Sequence, residues 1–306
     1  MIIDFHTHIL EPSWLPEQWW SLLTRYHNSR RLNSLIPDID TATIIERLCD
    51  QDGNKLLGAM EDAKIDKSIV LPLDWGLLLG EPPVSIEEQH LRIAEISEKS
   101  NGKIVPFVGI DPRRGNAIEL IKSCLEDYKM QGIKLYPAAG YDLRNETFGP
   151  IFATALEYNV PVLLHTGYAL GPFLGEYGEP AVVDYLCATY PDLIIIAAHL
   201  GAGYLEQLCW LGYAKSNLYA DCSMMQVRAR QNYSEFARNI RLACDLFGSR
   251  RILFGTDWPF SQSIMPNDEY VKAFKKLASV YDTHVNFASY ELNQILGQNA
   301  INLLYH

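Results

Sequence analysis

The chain of 306 residues lacks any apolar run near the roughly 18 residues that a membrane-spanning helix needs. It is also poor in positive charge: 26 Lys and Arg stand against 37 Asp and Glu, for a net charge of −11. Nucleic acid and anionic membrane reward clustered Lys and Arg, so neither is expected as a partner. The six cysteines form no CxxC pair, and Cys49, Cys124, Cys187, Cys209 and Cys244 fall in helix-like stretches. They read as reduced, mostly buried thiols of a cytoplasmic protein. The opening MIIDFHTHIL has neither a basic n-region nor a small-residue cleavage site, so no secretory signal is expected. No GxGxxG follows the first apolar run, which argues against an open dinucleotide-binding sheet. GxSxG and the Walker A loop are missing, so nucleophilic-serine and P-loop chemistry lack support.

What is present is a rhythm. Short β-rich runs recur at 2–5, 68–71, 104–109, 132–136, 161–165, 193–198, 218–221 and 252–255. Most are near-continuous Val/Ile/Leu, as in strands covered on both faces. Helical patterns fill the gaps, among them VSIEEQHLRIAEISEKS, GNAIELIKSCLEDYK and EFARNIRLACDLFG, the last ending on a glycine stop signal. Eight strands alternating with helices predict an α/β fold, a (β/α)8 TIM barrel forming a single domain over 1–306. Residues 11–40 interrupt it after the first strand and carry Trp14, Trp19, Trp20 and Tyr26. Such an insertion serves as a lid, or else as a packing subdomain or oligomer contact. Extra helices are expected at the C-terminal end.

ILFGTDWPFS, residues 252–261, poses a chemical question. A buried-looking strand leads to Asp257, and a lone carboxylate costs several kcal/mol to desolvate unless a cation or strong donors meet it. Partners exist elsewhere. The first strand ends DFHTH, and His6 and His8, two residues apart, share one face. The fifth strand ends at His165 and the sixth leads to His199. In a barrel these strand ends converge on the rim that carries active sites. Three imidazoles and a carboxylate suit a divalent transition metal.

DFHTH, GIKLYP, LLHTG, AHLGAG and LFGTDWP together resemble the amidohydrolase superfamily, in its amidohydrolase-2 branch, and the closing LNQILGQNAINLLY resembles that family's last helix. The branch includes aminocarboxymuconate-semialdehyde and resorcylate decarboxylases as well as hydrolases. The resemblance implies that His6, His8, His165 and Asp257 hold one divalent metal, most often Zn, with Mn also suitable. It places His199 beside the metal, contacting its water or the substrate. Lys134 lies where some superfamily members carry a carboxylated lysine bridging two metals; in this branch a single metal is usual. An unmodified Lys134 would bind a substrate carboxylate or pair with an acid.

The residues themselves allow catalytic roles for Asp257, which can take a proton from water, and His199, which can orient water or polarise a carbonyl. Asp4 is expected to point with the two histidines one layer deeper, in support. Trp75, Arg113, Lys134 and Tyr136 are candidate substrate contacts, with Arg113 offering a fork for a carboxylate. Tyr168 and Trp258 would add an apolar wall. The leading expectation is metal-dependent hydrolysis of a small amide, ester or lactone. The alternative is non-oxidative decarboxylation of an aromatic or unsaturated acid, and a third is a non-catalytic binding protein with a degenerate site. The partner is a small-molecule substrate, and the resemblance implies a homodimer or tetramer.

Overall fold

Every apolar run expected as a strand forms one. The computed structural model describes residues 1–29, 38–280 and 285–305. The strands are β1 (Ile3–Thr7), β2 (Lys67–Val70), β3 (Ile104–Pro106), β4 (Val108–Gly109), β5 (Ile133–Leu135), β6 (Val162–Leu164), β7 (Ile195–Ala197), β8 (Leu218–Asp221) and β9 (Ile252–Leu253). β3 and β4 are one expected strand, divided at Phe107. All pairings are parallel, β1-β2-β3 in one sheet and β4 to β9 in sequence order in the other. Phe107 N–H donates to Val70 O at 3.0 Å, which ties the two sheets across the division. Phe5 N–H donates to Phe254 O at 2.8 Å, Asp257 N–H to His6 O at 2.8 Å and His8 N–H to Trp258 O at 2.7 Å. These bonds join the last strand to the first and close a (β/α)8 barrel.

Register decides which side chains face inward. Lys134, Leu163 and Ile196 are neighbours across β5, β6 and β7, so they share a face. Leu163 and Ile196 belong to a buried cluster with Ile3, Phe5, Ile69, Val105, Phe107 and Leu253, drawn from strands around the barrel. This cluster fills the barrel interior, and Ala300, on the final helix Asn299–Tyr305, packs against it. The complementary faces of the strands pack against the surrounding helices in a larger cluster.

β1 departs from simple alternation. Asp4 pairs with Ser68, but Thr7 pairs with Val70, so a bulge inserts one residue between them. A one-residue slip reverses the facing of everything beyond it. Ile3 and Phe5 face the interior before the bulge, and His6 and His8 face it after. Asp4 therefore does not point with the two histidines, as simple alternation would have it. It turns to the seam, where its carboxylate accepts from Thr256 N–H at 2.9 Å and Thr256 O–H at 2.6 Å.

The expected helices form at Ile86–Lys99, Ala117–Glu126 and Tyr233–Phe247. The first is capped by Ser85, which accepts from Glu88 N–H at 3.3 Å, and the third stops at Gly248, in the left-handed region at φ 81°. Within the 11–40 insertion the helix Glu17–Ser29 forms; residues 30–37 lie outside the described residues. A second helix, Thr41–Leu48, follows, N-capped by Asp40. All six cysteines are free and buried. Among the described residues no helix is long and apolar enough to cross a membrane.

Candidate active site

The strand ends gather five side chains at one rim. His6 and His8 come from the end of β1, His165 from β6, His199 from just past β7, and Asp257 from the segment after β9. All five are buried, and all five line one cavity of about 710 Å³. Two of them sit on left-handed backbone: φ is 61° at His199 and 55° at Asp257. Such conformations cost a non-glycine residue about 1–2 kcal/mol and persist where surrounding bonds enforce them. Here Asp257 N–H is held by His6 O, and His199 N–H by Asp221 Oδ1 at 3.0 Å.

Asp221, the last residue of β8, organises the cluster although the sequence reading assigned it only to a strand. Its Oδ2 lies 2.8 Å from His6 Nδ1. Its Oδ1 accepts from His199 N–H, from Ser223 N–H at 2.9 Å and from the Ser223 hydroxyl. Ser223 Oγ in turn lies 2.7 Å from His199 Nδ1. The signal was available: LYAD ends an apolar run on a carboxylate, much as LFGTD does.

These bonds fix which ring nitrogens are free. A carboxylate and a carbonyl only accept, so His6 Nδ1 donates to Asp221, and His8 Nδ1 donates to Leu71 O at 2.6 Å. Burial holds the His6 imidazole well below its ordinary pKa, with Lys134 and the neighbouring histidines adding to the effect. His165 and His199 are lowered in the same way, chiefly by burial. In neutral His6, Nε2 then carries a lone pair. His6 Nε2 and His8 Nε2 face Asp257 Oδ1, at 3.6 Å and 3.2 Å. The His6 lone pair and the carboxylate repel unless a cation lies between them. His165 Nε2 is buried without a hydrogen-bond partner, and its Nδ1 lies 3.2 Å from His199 Nε2. The donor set fits a divalent transition metal. His6, His199 and Asp257 form the candidate metal site, each offering a ligand atom within 4.8 Å of the others. His199, expected beside the metal, thus lies within ligand reach of the same cluster.

Lys134 stands on β5 inside the barrel. It is 2 % exposed, and Nζ has no hydrogen-bond partner. Burial brings its pKa down to about 8, against the opposing pull of Asp221 and Asp257. Tyr136 stacks on His165 with ring centroids 4.1 Å apart. Trp75 meets Tyr136 at 5.2 Å and Trp19, from the insertion, at 4.5 Å. Phe260 contacts His8 at 5.4 Å. Trp19, Trp75, Tyr136 and Phe260 thus give the cavity aromatic walls.

Two expectations are corrected. Arg113 does not line the cavity. Its guanidinium forks onto Asp111, with Nε at 2.9 Å from Oδ1 and Nη2 at 2.5 Å from Oδ2, and it also donates to the carbonyls of Ala139 and Gly140. Held by Asp111 on its own loop and by carbonyls of the loop after β5, it stays out of the cavity lining. Trp258 is buried behind the site, and Phe260 takes the wall position instead; Tyr168 does line the mouth.

Comparison with known proteins agrees with this architecture. The family model described as Amidohydrolase, of the amidohydrolase-2 type, matches residues 79–305. The chain belongs to the amidohydrolase-2 family. Its members are metal-dependent enzymes, and this chain is one of them. Among solved structures, 5-carboxyvanillate decarboxylase from Novosphingobium aromaticivorans, bound to manganese, is similar at TM-score 0.71 and 16% identity, over 100% of this chain and 96% of that one. An amidohydrolase from Burkholderia multivorans with bound zinc gives TM-score 0.70 and 14% identity, over 99% of each chain. The 2,6-dihydroxybenzoate decarboxylase from Rhizobium gives 0.68 and 17%, over 99% and 98%. At such identities the likeness speaks for the fold alone. Among curated proteins, Protein fluG of Emericella nidulans is 24% identical over 156 residues, half of this chain and 17% of that protein's length.

Proposed function

We propose that this enzyme holds one divalent metal ion through His6, His8, His165 and Asp257, with His199 alongside, and hydrolyses a small amide, ester or lactone. The observation that carries the reading is the convergence of His6 Nε2 and His8 Nε2 on the buried Asp257 carboxylate. When bound, a divalent ion supplies Lewis acidity and makes water a usable nucleophile near neutral pH. The chain's own groups do the rest. Asp257 takes a proton from the attacking water at its carboxylate. Burial raises its pKa and so makes it a better base than an exposed aspartate. Asp257 then passes that proton to the leaving group, while His199, anchored by Ser223 through Nδ1, keeps its bare Nε2 toward the reacting centre and orients the attacking water. Lys134 Nζ, lacking a partner, steadies negative charge on a substrate oxygen. Trp75 and Tyr136 orient the substrate and exclude water.

One feature favours a second reading. Aromatic walls suit a planar ring, and the same cluster can support decarboxylation of an aromatic or unsaturated acid. A product screen in ¹⁸O-labelled water separates the two. Zinc- or manganese-loaded protein is offered lactones, esters, amides and aromatic acids while carbon dioxide is monitored. Hydrolysis places ¹⁸O in the product acid and releases no carbon dioxide. Carbon dioxide without ¹⁸O incorporation would replace the proposed reaction with the second.

A further inference from the structure

The outer wall of the cavity comes from the inserted segment and the helix after it. Helix Glu17–Ser29 contributes Trp19, Leu23, Tyr26 and His27, and helix Thr41–Leu48 contributes Ile44, Arg47 and Leu48. Spacings of three and four place these side chains on one face of each helix. Four of the seven, Trp19, Leu23, Ile44 and Leu48, are apolar. Arg47 is the one guanidinium among them: it is exposed at the cavity edge, and among the described residues no carboxylate pairs with it.

The two arginines after β4 are already committed, Arg113 to Asp111, and Arg114 to Asp74 and Glu81 at 2.6 Å and 2.9 Å. Among the described residues the cavity lining holds two basic side chains, Arg47 and Lys134, and one carboxylate, Asp257. In a chain of net charge −11, that local excess of cations runs against the whole. A concave site with low-dielectric walls focuses such a field on anions. Trp19, Trp75, Tyr136 and Phe260 line the same cavity.

We propose that Arg47 is a specificity-determining residue that pairs with a carboxylate at the substrate's far end, remote from the reacting carbonyl. The substrate class is then a small acid with a planar, apolar middle, its carbonyl at the metal cluster and its tail carboxylate at the rim. The inference rests on the proposed function for the reacting end and adds the chemistry of the other end. A guanidinium matches a carboxylate with two parallel N–H donors, which a lysine ammonium cannot reproduce.

The test uses zinc-loaded full-length protein and two ketones that cannot be hydrolysed, 4-acetylbenzoate and 1,4-diacetylbenzene, with binding read from tryptophan fluorescence. Arg47→Gln should weaken 4-acetylbenzoate about 10-fold, the low end for a charge-assisted bond screened at an exposed rim, and leave the neutral ketone unchanged. Arg47→Lys should recover part of the loss. Added sodium chloride should weaken the acid in the parent protein and not in Arg47→Gln. An unchanged acid-to-neutral ratio in Arg47→Gln overturns the inference, as does binding of neither ketone to the parent protein. Methanol release from monomethyl and dimethyl terephthalate, measured alongside, tells the two failures apart. Hydrolysis with no effect of Arg47→Gln on either ester's selectivity leaves the reaction standing and removes the rim contact. An Arg47-dependent binding preference without any hydrolysis across the product screen keeps the rim contact and removes the reaction.

Discussion

Asp221→Asn is the perturbation that probes the site's wiring most finely. Asp221 is fully buried and receives four donors. Three of them converge on Oδ1, from His199 N–H, Ser223 N–H and Ser223 O–H. The fourth, His6 Nδ1–H, goes to Oδ2. Asparagine has one oxygen, and it will stay with the three donors. Its amide then faces His6 Nδ1. Two buried donors in opposition cost about 1–3 kcal/mol, so the ring will change tautomer to accept from the amide. The proton moves to Nε2, the atom that faces Asp257 and the metal cluster. His6 is thereby lost as a ligand unless it sheds that proton. Changes to groups that orient metal-binding histidines typically cost 10–100-fold in affinity. We expect zinc affinity to fall by about that factor, which is roughly 1.4–2.7 kcal/mol. Competition with a chromophoric chelator measures it, circular dichroism checks that the fold is intact, and ¹⁵N shifts of the His6 ring report the tautomer. Zinc affinity within twofold of the parent, or a His6 ring still protonated at Nδ1, would refute the reasoning.

Two other predictions concern Asp257 and Lys134. Asp257→Asn should keep the fold and lower kcat at least about 100-fold, since it removes both a ligand and a proton acceptor; steady-state kinetics on any substrate found in the product screen will show it, and near-normal turnover would contradict the assigned role. Lys134, with its pKa pushed down to about 8 by burial from an ordinary 10.5, ties the metal-free protein's stability to pH. Below pH 8 both folded and unfolded states hold the proton, and the folded state bears the full cost of burying it. Between pH 8 and 10.5 the unfolded chain holds more protons, so stability rises with pH, by about 3 kcal/mol relative to Lys134→Met. Urea unfolding of both proteins at pH 7.5, 9 and 10.5 measures the difference, and a gap that stays constant would contradict the burial argument.

The barrel was legible because its strands are apolar on both faces and so stand out as runs whatever their neighbours. The convergence of His6, His8, His165, His199 and Asp257 followed from the parallel topology, which brings every strand's end to one rim. What escaped depends on local backbone or on tertiary approach. The bulge in β1 carries no signature in IDFHT, and it alone sets Asp4 apart from the two histidines. The left-handed backbone at His199 and Asp257 is imposed by bonds to Asp221 and to His6 O, which come from other strands. Arg113 looked free at a loop and proved to be held by Asp111, only two residues away. Trp19 and Phe260 reach the cavity because the insertion and the segment after β9 fold over it, and a linear pattern does not encode that approach.

The central claim is that these strand ends share one cation. Anomalous diffraction at the zinc edge from crystals of the zinc-loaded protein tests it most directly. The account predicts one strong peak about 2.0–2.2 Å from nitrogen atoms of His6, His8 and His165 and an oxygen of Asp257. No peak among those side chains, with zinc bound elsewhere or not at all in a protein that still turns over substrate, would contradict it.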